Sequence, residues 1–442
     1  MKNALLLSAA LIVPAIALAE KPDSTDMNIG KKIEFCRTTP EVAEILKKNR
    51  PQEAGAIPTP KFVIKSGNNK FLMTIGGQIN LIVGGDMGND LYEQSGAGIS
   101  FVTSQIPVPA QSGHKSDFYI NPLYSQLDVQ VVGLAGSKDE VTGYVKFGTN
   151  GNNTSVQLMR AYVSWRGFTG GQKLTLFQDD YACQPPTIDP EGPSGEVSTV
   201  AYELSYKSPS YNGFRYAIGL DVPTYYSSSG RYLGKDFQHY EDKQVTSNVN
   251  QVIPDVPMWV EYTFSPWNRI RLSGMIRNFA YRDMVASKTR HNVGWGVMLS
   301  GNVKPSSQWT FYYQAAYGAG IGNYIQDIAG HPYSFTPDDE NIGHMKPSPM
   351  LGANIGVSFN PTQKLQFNAM FSEARIWGVS AYANAGDEIN NYKYGLYGAV
   401  NCFYTINSFL QVGVEYLYGH RQTWNMGGAN DNRLQAELSF SF

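Results

Sequence analysis

The chain is poor in cysteine, in charge and in long apolar runs, and each shortage removes a class of protein. Three cysteines among 442 residues (Cys36, Cys183 and Cys402) are odd in number and form no C-x-x-C pair. That excludes a disulfide framework and the usual zinc-ribbon spacings. A Cys36–Cys183 bond stays open, because spacing alone does not decide it. Charged residues make up 16% of the chain, the net charge is -2, and no basic cluster occurs. Nucleic acid is therefore not a partner that the composition calls for. After the first twenty residues no segment approaches the roughly 20 consecutive apolar residues of a transmembrane helix. Six histidines (His114, His239, His291, His331, His344, His420) form no H-E-x-x-H pair and join no G-x-S-x-G motif. They read as solvated loop residues. The sequence asks for no catalytic centre, no metal and no cofactor.

What is present begins with an export signal. Lys2 precedes an apolar stretch from Ala4 to Leu18, and Ala17-Leu18-Ala19 is a small-x-small cleavage site before Glu20. Residues 1–19 are read as a cleaved signal peptide. No cysteine stands at the cleavage point, so it is not a lipoprotein signal. An exported chain without an apolar helix need not be soluble, because a closed barrel also satisfies its backbone in lipid. The slightly negative mean hydropathy, 13% aromatic content and 44 glycines suit a polar lumen inside an apolar, aromatic-belted wall.

From Phe71 onward the hydrophobic period is two. Leu434, Ala436, Leu438, Phe440 and Phe442 share one face, while Arg433, Gln435, Glu437, Ser439 and Ser441 share the other. The same alternation runs through Leu410–Tyr416, Ile270–Arg277 and Leu351–Phe359. In a soluble sandwich the inner face is an apolar core. Here the apolar face has an Arg, Gln, Glu or Asn face behind it, strand after strand, as a water-filled cylinder in lipid requires. Sixteen candidate strands follow, among them 71–84, 119–133, 172–178, 269–281, 291–303, 408–419 and 430–442. Short turns such as Ser208–Asn212 and Lys304–Ser307 alternate with long loops at 85–118, 179–196, 223–255, 319–348 and 376–390. This alternation predicts an all-β transmembrane antiparallel barrel of about sixteen strands over 66–442, in the outer membrane of a Gram-negative cell. Tyr and Trp near strand ends fit two interfacial belts, with Trp259 inward by parity, and the chain ends on an aromatic, Phe442.

Residues 20–65 differ in composition and hold one helix signal. Thr39 is an N-cap, Pro40 the first helical position, and Val42, Ile45 and Leu46 form one face before Asn49-Arg50-Pro51. So short a helix is marginal by itself. A plug in the lumen, a piece packed on the periplasmic rim, a self-association element and a plain periplasmic leader all remain open.

The run Leu158-Met159-Arg160-Ala161-Tyr162-Val163-Ser164-Trp165 is followed by Gly170-Gly171-Gln172, Phe177-Gln178-Asp179, Pro185-Pro186-Thr187-Ile188-Asp189 and Gly192-Pro193. Together these resemble the DcaP-like outer-membrane porins. That family shows an Arg/His-Ala-Tyr strand, a Gly-Gln hairpin, a Phe-x-Asp strand end and a Pro-Glu-Thr-x-Asp-x-x-Gly-Pro loop. The likeness covers residues 155–195; elsewhere only strand pattern and number agree. Pro186 replaces the family's Glu, and Val200-Ala201-Tyr202-Glu203 lacks the Arg often found there. The resemblance implies a trimeric sixteen-stranded porin for small hydrophilic, in the family anionic organic, solutes. The missing Arg leaves the sign of selectivity open.

In a passive pore the functional residues set width and field. The loop 179–196 carries Asp179, Asp180, Asp189, Glu191 and Glu196, stiffened by Pro185, Pro186, Pro190 and Pro193, and is the expected constriction. Its bland alternative is an ordinary acidic external loop. Basic residues expected by parity on the lumen wall are Lys146, Arg160, Arg215, Arg271, Arg277, Lys393 and Arg433. One bulge reverses such an assignment. Against lipid each would cost roughly 2–4 kcal/mol at the midplane, which favours the inward side for the set. Asp338-Asp339-Glu340 is a candidate cation bridge to lipopolysaccharide, or simply a hydrated loop. The competing readings are a transporter for hydrophobic ligands, a barrel-embedded hydrolase and an adhesion barrel. The first needs a greasy pocket and the second a membrane-depth His beside a nucleophile.

Overall fold

A computed structural model describes residues 34–36, 45–46, 62–66, 70–88, 91, 100–108, 118–122, 124–149, 155–179, 184–224, 239–240, 243–249, 252–265, 268–329, 334–338, 340–378 and 392–442. Sixteen strands form the wall: β1 Phe71–Asp86, β2 Gln126–Gly133, β3 Val141–Thr149, β4 Val156–Trp165, β5 Phe168–Leu174, β6 Val200–Lys207, β7 Phe214–Pro223 and β8 Val256–Ser265, followed by β9 Asn268–Asp283, β10 Lys288–Val303, β11 Trp309–Ala319, β12 Pro349–Phe359, β13 Leu365–Ile376, β14 Tyr392–Thr405, β15 Leu410–Thr423 and β16 Gly428–Ser441. Each pairs antiparallel with the next, and β16 returns to β1 from Arg433↔Asp86 to Ser441↔Gln78. The sheet thus has no free edge in its middle. That is the condition for crossing lipid with strands, since every backbone N–H and C=O then has a partner.

The dyad pattern becomes two surfaces. On β16, Arg433, Gln435 and Ser439 are buried while Leu434, Leu438 and Phe440 are exposed. Val414, Val400, Ile355, Leu272 and Leu204 continue the apolar exterior around the wall. Aromatic rings gather on that exterior in two belts. At the short-turn end Trp309 stacks on Phe359 (4.4 Å between centroids), Phe168 lies 5.0 Å from Tyr206, and Phe409 pairs with Phe440. At the long-loop end Trp295, Tyr317 and Trp377 form the counterpart. Rings half in water and half in lipid are favoured at such interfaces.

The expected elements shift in four places. The second strand is split into Tyr119–Asn121 and β2, because Tyr124 takes a left-handed conformation (φ 66°) between them. The fifth strand covers 168–174 rather than 172–178. Arg166 and Gly167 (φ 48° and 86°) make a two-residue hairpin, so the chain reverses ahead of Gly170-Gly171, which lie inside the strand. Two long-loop-end connections are tight, at Asp283–Lys288 and Thr423–Gly428, and their strands run correspondingly further. Finally, the wall begins earlier than residue 66. Phe62–Lys65 pairs with β1 at Leu72–Ile75, below the point where β16 stops, and Glu34–Cys36 pairs with Phe62–Lys65 in turn. The Phe62 ring meets the edge of Phe442 at 6.2 Å, and Phe442 exchanges backbone hydrogen bonds with Gly77 (3.0 and 3.1 Å). Residues 1–19, Asp180 and Cys183 lie outside the described residues, so the signal-peptide expectation and the Cys36–Cys183 pairing fall there.

Candidate functional site

The connection from β5 to β6, residues 175–199, turns into the barrel. Three ties fix its course. Near its start the Asp179 carboxylate accepts hydrogen bonds from Arg269 Nη2 (2.5 Å, β9) and Ser300 Oγ (2.6 Å, β10), with Arg271 Nη1 at 3.5 Å. At its middle the backbone N–H groups of Ile188 and Asp189 donate to the Glu415 carboxylate of β15 (3.0 and 2.8 Å), and Asn401 Nδ2 of β14 donates to Pro186 O (2.9 Å). Further on, Gly195 N–H donates to Ser372 Oγ of β13 (2.8 Å), and Gln314 Nε2 of β11 donates to Gly195 O (3.2 Å). Pro185 lies directly against Gly356 of β12, where any Cβ would collide with its ring. The loop therefore reaches from the β9–β10 wall to the β14–β15 wall, and proline limits its freedom along the way.

Two other long loops join it. Residues 321–329 run antiparallel beside it through the Val197↔Ile325 bridge, with Ser198 N–H to Tyr324 O (3.0 Å), Gln326 N–H to Glu196 O (2.9 Å) and Asp327 N–H to Ser194 O (3.0 Å). From the first loop, Phe101 N–H donates to Asp189 Oδ1 (3.0 Å), and the Thr103 hydroxyl bonds both Ser194 Oγ and Asp327 Oδ2. Arg421 Nη1 of β15 donates to Ile106 O (2.9 Å). Each of these segments also buries apolar side chains against an apolar patch of the inner wall. Phe101, Ile106 and Val108 pack on Met370, Tyr397, Ala399 and Leu417; Ile321, Ile325 and Ile328 pack on Met350, Ala374, Ile376 and Tyr392. Phe177, Val197 and Tyr324 meet Met275, Met298 and Ala316, while Phe335 lies 3.7 Å from Phe279 between ring centroids. At the opposite mouth Leu46, in the helical pair Ile45–Leu46, is 0% exposed against Val63, Leu72 and Val132. Gln130 Nε2 lies 3.5 Å from Leu46 O.

The residues singled out in the sequence come together in an unexpected way. Asp179, Asp189 and Glu196 are buried in ties rather than presented to open lumen, and Glu191 bonds Gln326 of the neighbouring loop. Lys146 and Arg160 face inward across from each other on β3 and β4, with Asp128 beside Lys146 on β2. Arg215, whose side chain is 32% exposed, pairs with Glu261 at 2.5 Å; Arg271 binds the same carboxylate at 2.8 Å and stacks over Trp259 at 4.4 Å. Trp259 is inward, as parity indicated. Arg277 and Arg433 also point inward, but as covered ion pairs: Arg277 with Asp255 (3.0 Å) beneath Tyr324, and Arg433 with Asp86 (2.5 Å) beneath Phe101. Loops cover them, which strand parity could not reveal. Lys393 is the bulged residue between Tyr392 and Tyr394, so parity does not assign it; its ammonium sits 4.7 Å over Trp424.

Several residues escaped the sequence reading. Lys173 is inward and bound to Glu203 (3.2 Å), and Arg269 bridges Asp179 and Glu261. Glu415, Asn401, Asn368, Ser358 and Gln435 form one hydrogen-bonded ladder on adjacent strands. The signal was available: these stand on the polar face of their alternating strands. Of the remaining expectations, Asp338 is held by Asn341 Nδ2 (2.8 Å) with Lys346 at 3.9 Å, and Asp339 lies outside the described residues. His291 and His420 bond Asn278 and Asn430 on strand ends, and Cys402 is free on β14.

Burial would raise the Asp179 carboxyl, but the Arg271 and Arg269 guanidinium groups outweigh it and hold it well below the usual carboxylate range. Asp189 goes the other way: burial and then the Glu415 charge raise it to about 8. Burial raises Asp327 to about 6 and also pushes Glu191 up. Charge thus holds the Asp179 carboxyl ionised at the start of the loop, whereas burial favours the protonated form of Asp189 and Glu191 further along.

No family model and no curated protein sequence matches the chain. In structure it is similar to the outer membrane channel DcaP of Acinetobacter baumannii, with a TM-score of 0.63 at 15% identity over 86% of this chain and 99% of that one. It is also similar to OprB of Pseudomonas putida, with a TM-score of 0.50 at 9% identity over 84% and 94% of the two chains. The shared feature is the fold: a closed, sixteen-stranded antiparallel barrel of the outer-membrane kind.

Proposed function

We propose that this protein is a passive diffusion channel of the Gram-negative outer membrane, through which small hydrophilic solutes pass a constriction made by the loop 179–196. The observation that carries this reading is the loop itself, tied to several strands of the inner wall from Asp179 to Gly195 inside a barrel with an apolar exterior. No bond-breaking machinery is needed for such a role. Lys146, Arg160, Lys173, Arg215 and Arg269 lie on the β3–β9 side, and the amide ladder with Glu415 lies on the β12–β16 side. Unlike linings on two sides give a transverse field that favours polar over apolar solutes of the same size. The apolar patches of the inner wall are covered by the chain's own loops, which favours this reading over a transporter for hydrophobic ligands.

In the same reading, residues 1–19 are removed as a signal peptide and the leader 20–65 seats in the short-turn mouth through Leu46. The channel assembles as a homotrimer surrounded by outer-membrane lipid and lipopolysaccharide, with anionic organic solutes as the class that the DcaP-like resemblance implies. Purified protein in a planar bilayer tests all of this. Stepwise openings in multiples of three are expected, and a bilayer that stays silent at high protein load overturns the channel reading. Arg160→Glu is expected to move the reversal potential toward cations; an unchanged potential removes Arg160 from the conducting path.

A further inference from the structure

Resting on the channel reading, we infer that Glu415 is the positioning residue of the constriction, the latch that fixes the tip of the 179–196 loop to the wall and thereby sets pore width. Glu415 stands on the inner face of β15 and is 0% exposed. Its two oxygens accept four N–H donors. Oε1 takes the backbone N–H of Asp189 (2.8 Å) and Gln435 Nε2 (2.9 Å); Oε2 takes the backbone N–H of Ile188 (3.0 Å) and Asn401 Nδ2 (2.8 Å). Two successive peptide N–H groups converging on one carboxylate make an anion-binding concavity in the loop backbone, and Glu415 fills it. Among the described residues Glu415 makes no salt bridge, so its charge is met by N–H dipoles alone.

The chemistry selects a carboxylate at this position. A carboxylate offers about four lone-pair sites and no hydrogen, which matches four donors. An amide of the same shape accepts on one atom only, and its NH₂ would face an N–H of the loop or of Asn401 or Gln435. The same wall also holds the loop by Asn401, whose amide donates both to Glu415 and to Pro186 O (2.9 Å). Asn401 itself is oriented by Asn368, whose amide donates to its oxygen at 2.6 Å. The loop tip thus has one anionic anchor, with the amide ladder behind it keeping that anchor in place.

The test is single-channel recording on Glu415→Gln and Glu415→Asp in the full chain. Glu415→Gln is expected to raise conductance by about twofold or more and to add open-channel noise, as an unlatched loop widens the constriction. Glu415→Asp keeps the carboxylate and is expected to stay nearer to the wild type, which a purely steric role would not give. Barrel integrity is read separately from β-sheet circular dichroism and heat-modifiable electrophoretic mobility. A folded Glu415→Gln barrel with wild-type conductance and noise overturns the latch while leaving the channel reading standing; a silent wild type overturns that reading instead. If Glu415→Gln does not fold, Asn401→Ala carries the test. It removes the Pro186 clasp and one Glu415 donor, and is expected to raise conductance by a smaller factor. An unchanged Asn401→Ala channel also overturns the inference.

Discussion

The same strands line the lumen differently at its two ends. Toward the short turns the inner wall is amide and charge: Arg269 and Arg271 on β9, Ser358 on β12, Asn368 on β13, Asn401 on β14, and Lys146 and Arg160 on β3 and β4. Toward the long loops covered ion pairs such as Arg277–Asp255 and Arg433–Asp86 stand among apolar patches, with Met275 and Phe279 further along β9, Met350 at the start of β12, Ala374 and Ile376 at the end of β13, and Tyr392 and Tyr397 on β14. Water can wet the first kind of wall at no penalty. It cannot wet the second without losing roughly 1.5–3 kcal/mol for each large side chain left uncovered. The long loops resolve this by folding inward and covering those patches. An apolar residue on the inner face of this barrel therefore marks the place where a loop docks. Leu72 and Val132 obey the same rule at the other mouth, where Leu46 covers them.

That contrast can be broken in order of expected effect. Asp179→Ala removes one partner of the buried Arg269 ion pairs, a change worth about 3–4 kcal/mol. Hydrogen exchange should show the start of the loop opening far more often, and unchanged protection there would mean that the charge tie is idle. Ile325→Ala truncates a fully buried side chain in the loop-docking surface on β12–β14, at about 3 kcal/mol. Limited proteolysis within 319–348 should accelerate while the barrel resists; equal rates would sever the link between apolar wall and docked loop.

Two smaller effects sharpen the comparison. Leu46→Ala weakens the contact at the short-turn mouth by about 2 kcal/mol. It should raise conductance less than Glu415→Gln does, and an equal effect would make the leader the narrower gate. The smallest effect is that of pH. Asp327 and Asp189 have folded values raised to about 6 and about 8 by burial, with Glu415 adding to the rise for Asp189. A raised carboxyl stabilises its protonated contacts at low pH, and that contribution is lost as pH climbs through the folded value. Although the donors Thr103, Tyr392 and Phe101 favour the ionised form, the buried charge on Asp327 and the repulsion between Asp189 and Glu415 should loosen the docked segments between about pH 6 and pH 8. Channel noise rising over that window is the expected signature. Noise that rises toward acid would reverse the sign.

Alternation in β16 and β15 was legible because lipid on one side and polar lumen on the other impose a period of two on every strand. The even strand count and the entry of the chain into a long loop after the fifth strand were legible for the same reason. The loop's internal contacts were not. Asp179, Asp189 and Glu196 read as acids for a pore surface, yet Asp179 and Asp189 are consumed by donors on distant strands and Glu196 by Gln178 of the same loop, and no local pattern announces a partner such as Ser300 or Tyr397. Arg433 and Arg277 were placed on the correct face, but their cover comes from Phe101 and Tyr324 in loops remote in sequence.

The sequence by itself determined that this chain forms a closed antiparallel barrel, and which residue of each regular strand faces in, since both follow from satisfying backbone and side chains against lipid. Only the tertiary structure decided which loops enter the lumen and which inward charges they cover. Those outcomes depend on the shapes and donors that sixteen strands bring to a common interior, and no stretch of sequence contains that meeting.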